Sequence, residues 1–131
     1  MAPEKVANRP LSPHLFIYKP QLTSVLSILH RMTGMFISLG LVGVVVLFAG
    51  AAMGEEAFQY VQYFLTSWLG ILLLFAMTLS YFYHLLNGIR HLCWDMGKGF
   101  ELSAVYMTGW IVVFGTVVFT CVVWFLPEWG G

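Results

Sequence analysis

The sequence predicts an all-α integral membrane protein with three transmembrane helices. Hydrophobic residues make up 60% of its 131 residues and charged residues only 9%, and the mean hydropathy is +0.83. No Lys, Arg, Asp or Glu occurs in residues 32–54, 57–89 or 102–127. Each window can supply the roughly 20 apolar helical residues that cross a hydrocarbon core. We therefore expect one membrane-anchor domain over residues 1–131.

The expected helices cover about residues 25–53, 58–93 and 103–126. Residues 1–23 are expected to run along the inner membrane surface, because three prolines between positions 10 and 20 exclude one continuous helix there. Thr23 or Ser24 is expected to cap the first helix.

The distribution of basic residues predicts the orientation of the chain. All six lie before the first window or between the second and third windows: Lys5, Arg9, Lys19, Arg31, Arg90 and Lys98. The positive-inside rule then places the N-terminus and the second loop on the cytoplasmic or matrix side and the C-terminus on the outer side. The expected location is a bacterial inner membrane or a mitochondrial inner membrane, with lipid as a direct neighbour.

Composition also argues against two other classes of protein, those that bind nucleic acid and those built on a disulfide framework. Six basic residues balanced by six acidic ones do not form a surface that tracks phosphates, so we expect no nucleic-acid partner. Cys93 and Cys121 form no CxxC motif, and we interpret both as small apolar residues.

Polar residues cluster at the start of the first predicted helix. In the stretch SVLSILHRMTG, Ser27, His30, Arg31 and Gly34 are spaced by three, one and three positions and share a helical face. One interpretation is a snorkelling arginine with a capping serine. The other is a polar pocket at the inner boundary for a ligand that enters from lipid. The spacing leaves both open.

The second predicted helix carries a histidine inside its apolar window. His84 precedes His91 by seven residues, which is roughly 10 Å at the helical rise, and Gly88 lies on the same face. A neutral imidazole at this depth either bonds a neighbouring helix or ligates a haem iron, for which Gly88 leaves room. Without a CxxCH motif such a haem is b-type. Because only His84 is deep, a second axial ligand comes most simply from another chain, and we expect a hetero-oligomeric helix bundle.

Two motifs resemble a known family. The stretch RPLSPHLFIYKPQLTSVLSILHRMTG, followed later by HLLNGIRHLCWDMG, resembles the cytochrome b556 subunits of succinate dehydrogenase, which are membrane anchors of respiratory complex II. In the first stretch, the residues that match the family's sequence pattern are Arg9, Pro10, Ser27, His30, Arg31 and Thr33. In the second stretch, they are His84, Gly88, Ile89, Arg90, His91 and Asp95. The resemblance covers nearly the whole chain.

The resemblance implies a role for each matched polar residue. His84 would be one axial ligand of haem b, and a companion small membrane-anchor subunit would supply the other. His30 and Arg31 would lie near the haem propionates. Ser27 and Arg31 would line a ubiquinone pocket shared with the iron–sulfur subunit and the companion anchor. The flavin chemistry would belong to a peripheral flavoprotein subunit.

Some interpretations remain open at this level. His91 and Asp95, expected with Arg90 at the aqueous boundary, are candidates for a proton relay, or form an ordinary interfacial pair. Two alternative functions are the anchor subunit of a quinol:fumarate reductase, in which the same pocket serves the reverse reaction, and a purely structural anchor, which has no such pocket. A transporter is disfavoured because no proline breaks a helix in mid-membrane.

Overall fold

The computed structural model of the protein describes residues 20–126, which form four helices and no strand. They are α1 (Leu22–Met53), α2 (Glu55–Thr66), α3 (Trp68–Asp95) and α4 (Leu102–Phe125). The all-α prediction is confirmed. Three of the helices, α1, α3 and α4, are long and apolar enough to cross a membrane. The predicted surface segment, apart from its last four residues, lies outside the described part of the chain.

The first helix begins earlier than expected. It starts at Leu22, and its N-cap is Gln21, which makes no side-chain capping hydrogen bond. Thr23 and Ser24 therefore lie within the first turn, and the expectation that one of them is the cap is wrong.

The expectation of one continuous second helix is also wrong, because the helix is interrupted at Ser67 between α2 and α3. Ser67 has an extended backbone and caps α3, its hydroxyl oxygen accepting a hydrogen bond from the Gly70 N–H at 3.1 Å. Its hydroxyl donates to the Phe64 carbonyl at 2.6 Å. The apolar pattern of residues 57–89 did not predict this break, because the window contains neither proline nor a charged residue. The serine is its one sequence signal. With 28 residues, α3 is still about 42 Å long.

The short helix α2 turns back along the end of α1. The turn is made at Gly54, whose φ of 110° favours glycine. Gly50 is buried where α2 crosses α1, and a β-carbon there would lie 2.8 Å from Val61 Cγ2. Glu55 and Glu56 occupy the first turn of α2, where negative charge is stabilised by the helix dipole.

Helix α3 packs antiparallel between α1 and α4. On its α1 side the Tyr83 hydroxyl reaches the Leu26 carbonyl. On its α4 side Phe82 stacks on Phe119, with ring centroids 5.5 Å apart. The start of α1 also packs on Gly109 of α4, where a β-carbon would lie 3.0 Å from Leu26 Cδ1. The histidines and Arg90 thus share one end of the three-helix layer.

Most of the apolar surface faces outwards. The buried hydrophobic core consists of Leu26, Tyr83 and Val112, in the described residues. Large side chains such as Phe48 and Phe114 are 69% and 74% exposed. Exposed apolar surface on this scale is unfavourable in water and favourable against lipid or other membrane helices.

Candidate functional site

Three histidine rings from two helices form a continuous stack. The rings of His30 and His84 are 4.0 Å apart between centroids and 6° from parallel. On the other side of His30, the ring of His91 lies 5.0 Å away at 13°. Helix α1 thus inserts one imidazole between two imidazoles of α3. The sequence predicted these histidines on one face of each of two helices, and in the structure the two faces pack against each other.

The hydrogen bonding of His84 determines which ring nitrogen carries the hydrogen when the ring is neutral. Its Nδ1 lies 3.1 Å from the backbone carbonyl oxygen of His30. A carbonyl oxygen only accepts, so Nδ1 carries the hydrogen and donates it. The neutral ring then has an unprotonated Nε2 with a free lone pair. Metal-ligating histidines in proteins generally have this arrangement, with the second nitrogen bonded to a carbonyl or carboxylate.

Two glycines border the histidine stack. A β-carbon at Gly34 would lie 2.9 Å from His84 Cε1, so this glycine is what lets the imidazole approach α1. The sequence placed Gly34 on the polar face but assigned it no role. At Gly88, the nearest atom to an added β-carbon would be His30 Nε2, at 3.8 Å. The space that the missing side chain leaves beside His84 is therefore bordered by the His30 ring.

His30 carries an enclosed polar atom that no described group satisfies. Its Nε2 is buried and has no hydrogen-bond partner within residues 20–126. Such an atom costs free energy unless a ligand or a second subunit bonds it. This atom lies at the edge of the stack next to Gly88.

Ser27 and Arg31 occupy the same face of α1, one turn apart. Ser27 is half-buried and Arg31 is exposed. The structure records no ion pair for Arg31 within the described range. The peptide before Ser27 is anchored, because the Leu26 carbonyl accepts hydrogen bonds from the Tyr83 hydroxyl at 2.7 Å and from Asn87 Nδ2 at 3.5 Å.

The expectation that Arg90 lies at the water is wrong. Its side chain is only 5% exposed and links α3 to α4. Nε donates to the Thr108 hydroxyl at 3.0 Å and Nη2 donates to the Val105 carbonyl at 2.9 Å. The guanidinium carbon also lies 4.1 Å from the ring centroid of Trp94. A guanidinium can be buried without a carboxylate when hydrogen bonds and an aromatic face replace its hydration.

Asn87 is a buried polar residue that the sequence pattern did not single out. Its side chain is fully enclosed, and its Oδ1 accepts a hydrogen bond from Arg90 Nη1 at 3.5 Å. It lies in the second motif as the residue before Gly88, but an asparagine in an apolar run carries no distinctive signal. Its position between the Leu26 carbonyl and Arg90 depends on the packing of α1 against α3.

The two proton-relay candidates lie in different surroundings. His91 is half-buried, and its Nδ1 donates to the Asn87 carbonyl at 2.7 Å. Asp95 is exposed and is the last residue of α3. The structure records no hydrogen bond between Asp95 and any other described side chain. The stacked rings of His91 and His30 also make no hydrogen bond with each other, because imidazole nitrogens bond in the plane of the ring.

The chain is similar to transmembrane subunits of succinate dehydrogenase and fumarate reductase. The profile of the succinate dehydrogenase/fumarate reductase transmembrane subunit family matches residues 5–123. The succinate dehydrogenase cytochrome b556 subunit of Rickettsia prowazekii is 47% identical over 117 residues, which are 89% of this chain and 91% of the relative. The b556 subunit of Rickettsia bellii is 44% identical over the same shares of the two chains. The cytochrome b560 subunit of Marchantia polymorpha is 43% identical over 112 residues, 82% of each chain. These matches confirm the resemblance drawn from the two motifs.

Proposed function

This chain belongs to the family of succinate dehydrogenase/fumarate reductase transmembrane subunits, and from that premise we propose that it is the cytochrome b and membrane-anchor subunit of a succinate:ubiquinone oxidoreductase. It docks peripheral subunits on the membrane, contributes one haem b ligand and forms part of the ubiquinone-reduction site. Succinate oxidation belongs to a flavoprotein subunit, so the chain alone is not expected to be active.

The observation that carries the haem proposal is the hydrogen bond from His84 Nδ1 to the His30 carbonyl, 3.1 Å long. It leaves Nε2 of His84 as a lone-pair donor, as an axial ligand requires. Gly34 lets the ring lie against α1, where the His30 carbonyl bonds Nδ1. Haem b, when bound, accepts and donates single electrons.

The second axial ligand is proposed to come from a companion membrane-anchor subunit. His30 and His84 would not hold one iron between them, because their rings lie face to face, 4.0 Å apart between ring centroids. His30 is therefore not the partner ligand of His84. We propose that His30, with its unbonded Nε2, and Arg31 lie near the haem propionates.

Ser27 and Arg31 are proposed to bind the quinone headgroup. The Ser27 hydroxyl donates a hydrogen bond to a quinone carbonyl oxygen. The Arg31 guanidinium stabilises negative charge on the reduced headgroup without giving up its own proton, because a guanidinium stays charged in proteins. The exposure of Arg31 supports this role, because the side chain is free to reach a ligand at the end of the helix layer.

Proton delivery to the quinone is proposed to involve His91 and Asp95. Asp95 is exposed at the end of α3, and His91 lies one turn deeper. His91 uses Nδ1 on the Asn87 carbonyl, so its Nε2 is the atom available for exchange. Because the rings of His91 and His30 are stacked, a proton passing between these residues would need an intervening water or quinone oxygen.

The orientation follows from the six basic residues on one side of the predicted crossings. We propose that the end carrying Ser27, Arg31 and Asp95 faces the cytoplasm or matrix, where the iron–sulfur and flavoprotein subunits bind. The C-terminus then faces the outer side of a bacterial or mitochondrial inner membrane. The family description also covers fumarate reductase, which would run the same site in reverse. The names of the relatives favour the succinate direction.

The deciding experiment is the reduced-minus-oxidised spectrum of the purified complex. A b-type α band is expected from the wild type, His84→Leu is expected to lose or grossly alter it, and His91→Leu is expected to retain low-spin haem. A complex with neither haem nor quinone reductase activity would leave a purely structural anchor. Haem lost from His91→Leu but kept in His84→Leu would show that the ligand is misassigned.

A further inference from the structure

The hydroxyl of Thr33 lies beside the ring nitrogen that orients His84. Thr33 Oγ1 is 3.3 Å from His84 Nδ1. The same oxygen is 2.8 Å from the Leu29 carbonyl and 3.0 Å from the His30 carbonyl. The threonine follows His30 by three residues on α1, so its side chain and the His30 carbonyl converge on the same point of α3.

The roles in this contact follow from what each group can donate. A hydroxyl has one hydrogen to donate and two lone pairs that accept. The two backbone carbonyls only accept, so the Thr33 hydrogen is directed to them. Towards His84 the Thr33 oxygen is left as an acceptor. Both of its neighbours on α1, the His30 carbonyl and the Thr33 oxygen, therefore require the hydrogen on Nδ1.

The Thr33 side chain is also restricted to one conformation. Threonine is restricted at χ1, and its bond back to the preceding turn holds one rotamer. Gly34, the next residue, lets the imidazole approach the helix, since a β-carbon there would lie 2.9 Å from Cε1. Thr33 and Gly34 therefore both contact the edge of the His84 ring that contains Nδ1 and Cε1.

We propose that Thr33 is a positioning residue for His84, accepting a shared hydrogen bond from Nδ1–H that holds the ring and its tautomer and tunes the ligand strength of Nε2. This inference rests on the proposed ligation of haem by His84. Hydrogen bonding at Nδ1 raises the basicity of the metal-binding nitrogen. A more basic ligand stabilises the oxidised iron more than the reduced iron, so Thr33 is expected to lower the haem reduction potential.

The test replaces the hydroxyl by a methyl group of the same shape. Thr33→Val in the assembled complex is expected to shift the haem midpoint potential upwards and to change the low-spin g-values in electron paramagnetic resonance. Thr33→Ser, which restores the acceptor, is expected to return both to wild type. The matched control is Thr78→Val on α3, because the Thr78 hydroxyl also bonds a carbonyl of the preceding turn, that of Leu74 at 2.8 Å. This control is expected to shift neither measurement.

The outcomes separate this inference from the proposed function. If His84→Leu removes the haem while Thr33→Val keeps the wild-type potential and g-values, Thr33 has no positioning role and the ligation stands. If His84→Leu retains the wild-type spectrum, the proposed ligation itself is wrong. If the valine variant does not assemble, Thr33→Ala and Thr33→Ser replace it. An upward shift in the alanine variant alone supports the inference, whereas equal potentials, or loss of haem from the serine variant, overturn it.

Discussion

The imidazole rings of His30 and His84 lie nearly parallel, with their centroids 4.0 Å apart, although the two residues are 54 positions apart in the sequence. His30 contacts His84 in two ways, through its ring face and through its backbone carbonyl. The carbonyl sets which nitrogen of His84 carries hydrogen, and the stacked ring limits how far the imidazole can tilt. One residue of α1 therefore orients the proposed ligand on α3.

The first prediction separates the proposed quinone site from the proposed haem site. Ser27→Ala is expected to lower succinate–quinone activity while sparing the haem spectrum and succinate oxidation by an artificial acceptor. Loss of one hydrogen bond to a neutral carbonyl costs about 0.5–1.5 kcal/mol, which is up to roughly tenfold in rate or affinity. The measurement is steady-state quinone reduction beside artificial-acceptor turnover on the same membranes.

Arg31→Leu tests the same face of α1 and is expected to cost more, because it removes a charge-assisted contact of about 1.5–3 kcal/mol. It is also expected to disturb the haem spectrum if the guanidinium lies near the propionates. Wild-type quinone rates in both variants would mean that this face does not bind quinone, and that Arg31 is an interfacial anchor.

The second prediction concerns the close approach at Gly34. Gly34→Ala places a methyl group 2.9 Å from His84 Cε1, so the ring or the helix must shift. Overpacking of this kind costs about 1–3 kcal/mol, and we expect an altered low-spin haem spectrum. Gly43→Ala is the matched control on the same helix, because a β-carbon there meets no described atom within 4 Å. Identical spectra for the two variants would contradict the role assigned to Gly34.

The third prediction concerns the contact between α1 and α3 next to Ser27. Tyr83→Phe removes the donor of the 2.7 Å hydrogen bond to the Leu26 carbonyl and nothing else. Because that carbonyl also accepts from Asn87, the expected loss is the net value of one hydrogen bond, about 0.5–1.5 kcal/mol. The readout is the thermal unfolding midpoint of the purified complex. Tyr81→Phe is the control, since Tyr81 is 52% exposed in this chain. An equal change in both variants would exclude a specific role for the Tyr83 hydroxyl.

The fourth prediction concerns topology. A reporter fused after Gly131 is expected to be on the outer side, because the basic residues lie at the opposite ends of the three crossings. A reporter inserted after Gly97, in the turn between α3 and α4, is expected on the cytoplasmic or matrix side. Both reporters on the same side would rule out the proposed crossing of α4.

Much of the fold could be predicted because its strongest determinant is local. A charge-free run of apolar residues is stable in lipid only as a helix, so composition along the chain locates the membrane spans. The break at Ser67 was not predictable in the same way, since hydropathy does not register a serine cap within an apolar run. The candidate residues on each helical face also followed from periodicity, because residues three and four apart lie side by side.

The sequence by itself determined the helical class, the three apolar spans and the two polar motifs, since each depends on residues close together along the chain. Only the tertiary structure decided how the motifs meet. The insertion of His30 between His84 and His91, the space made by Gly34, and the burial of Arg90 between α3 and α4 all depend on how the helices pack. Side-chain contacts between helices are set by their rotation and close packing, which hydropathy and spacing within one helix do not specify.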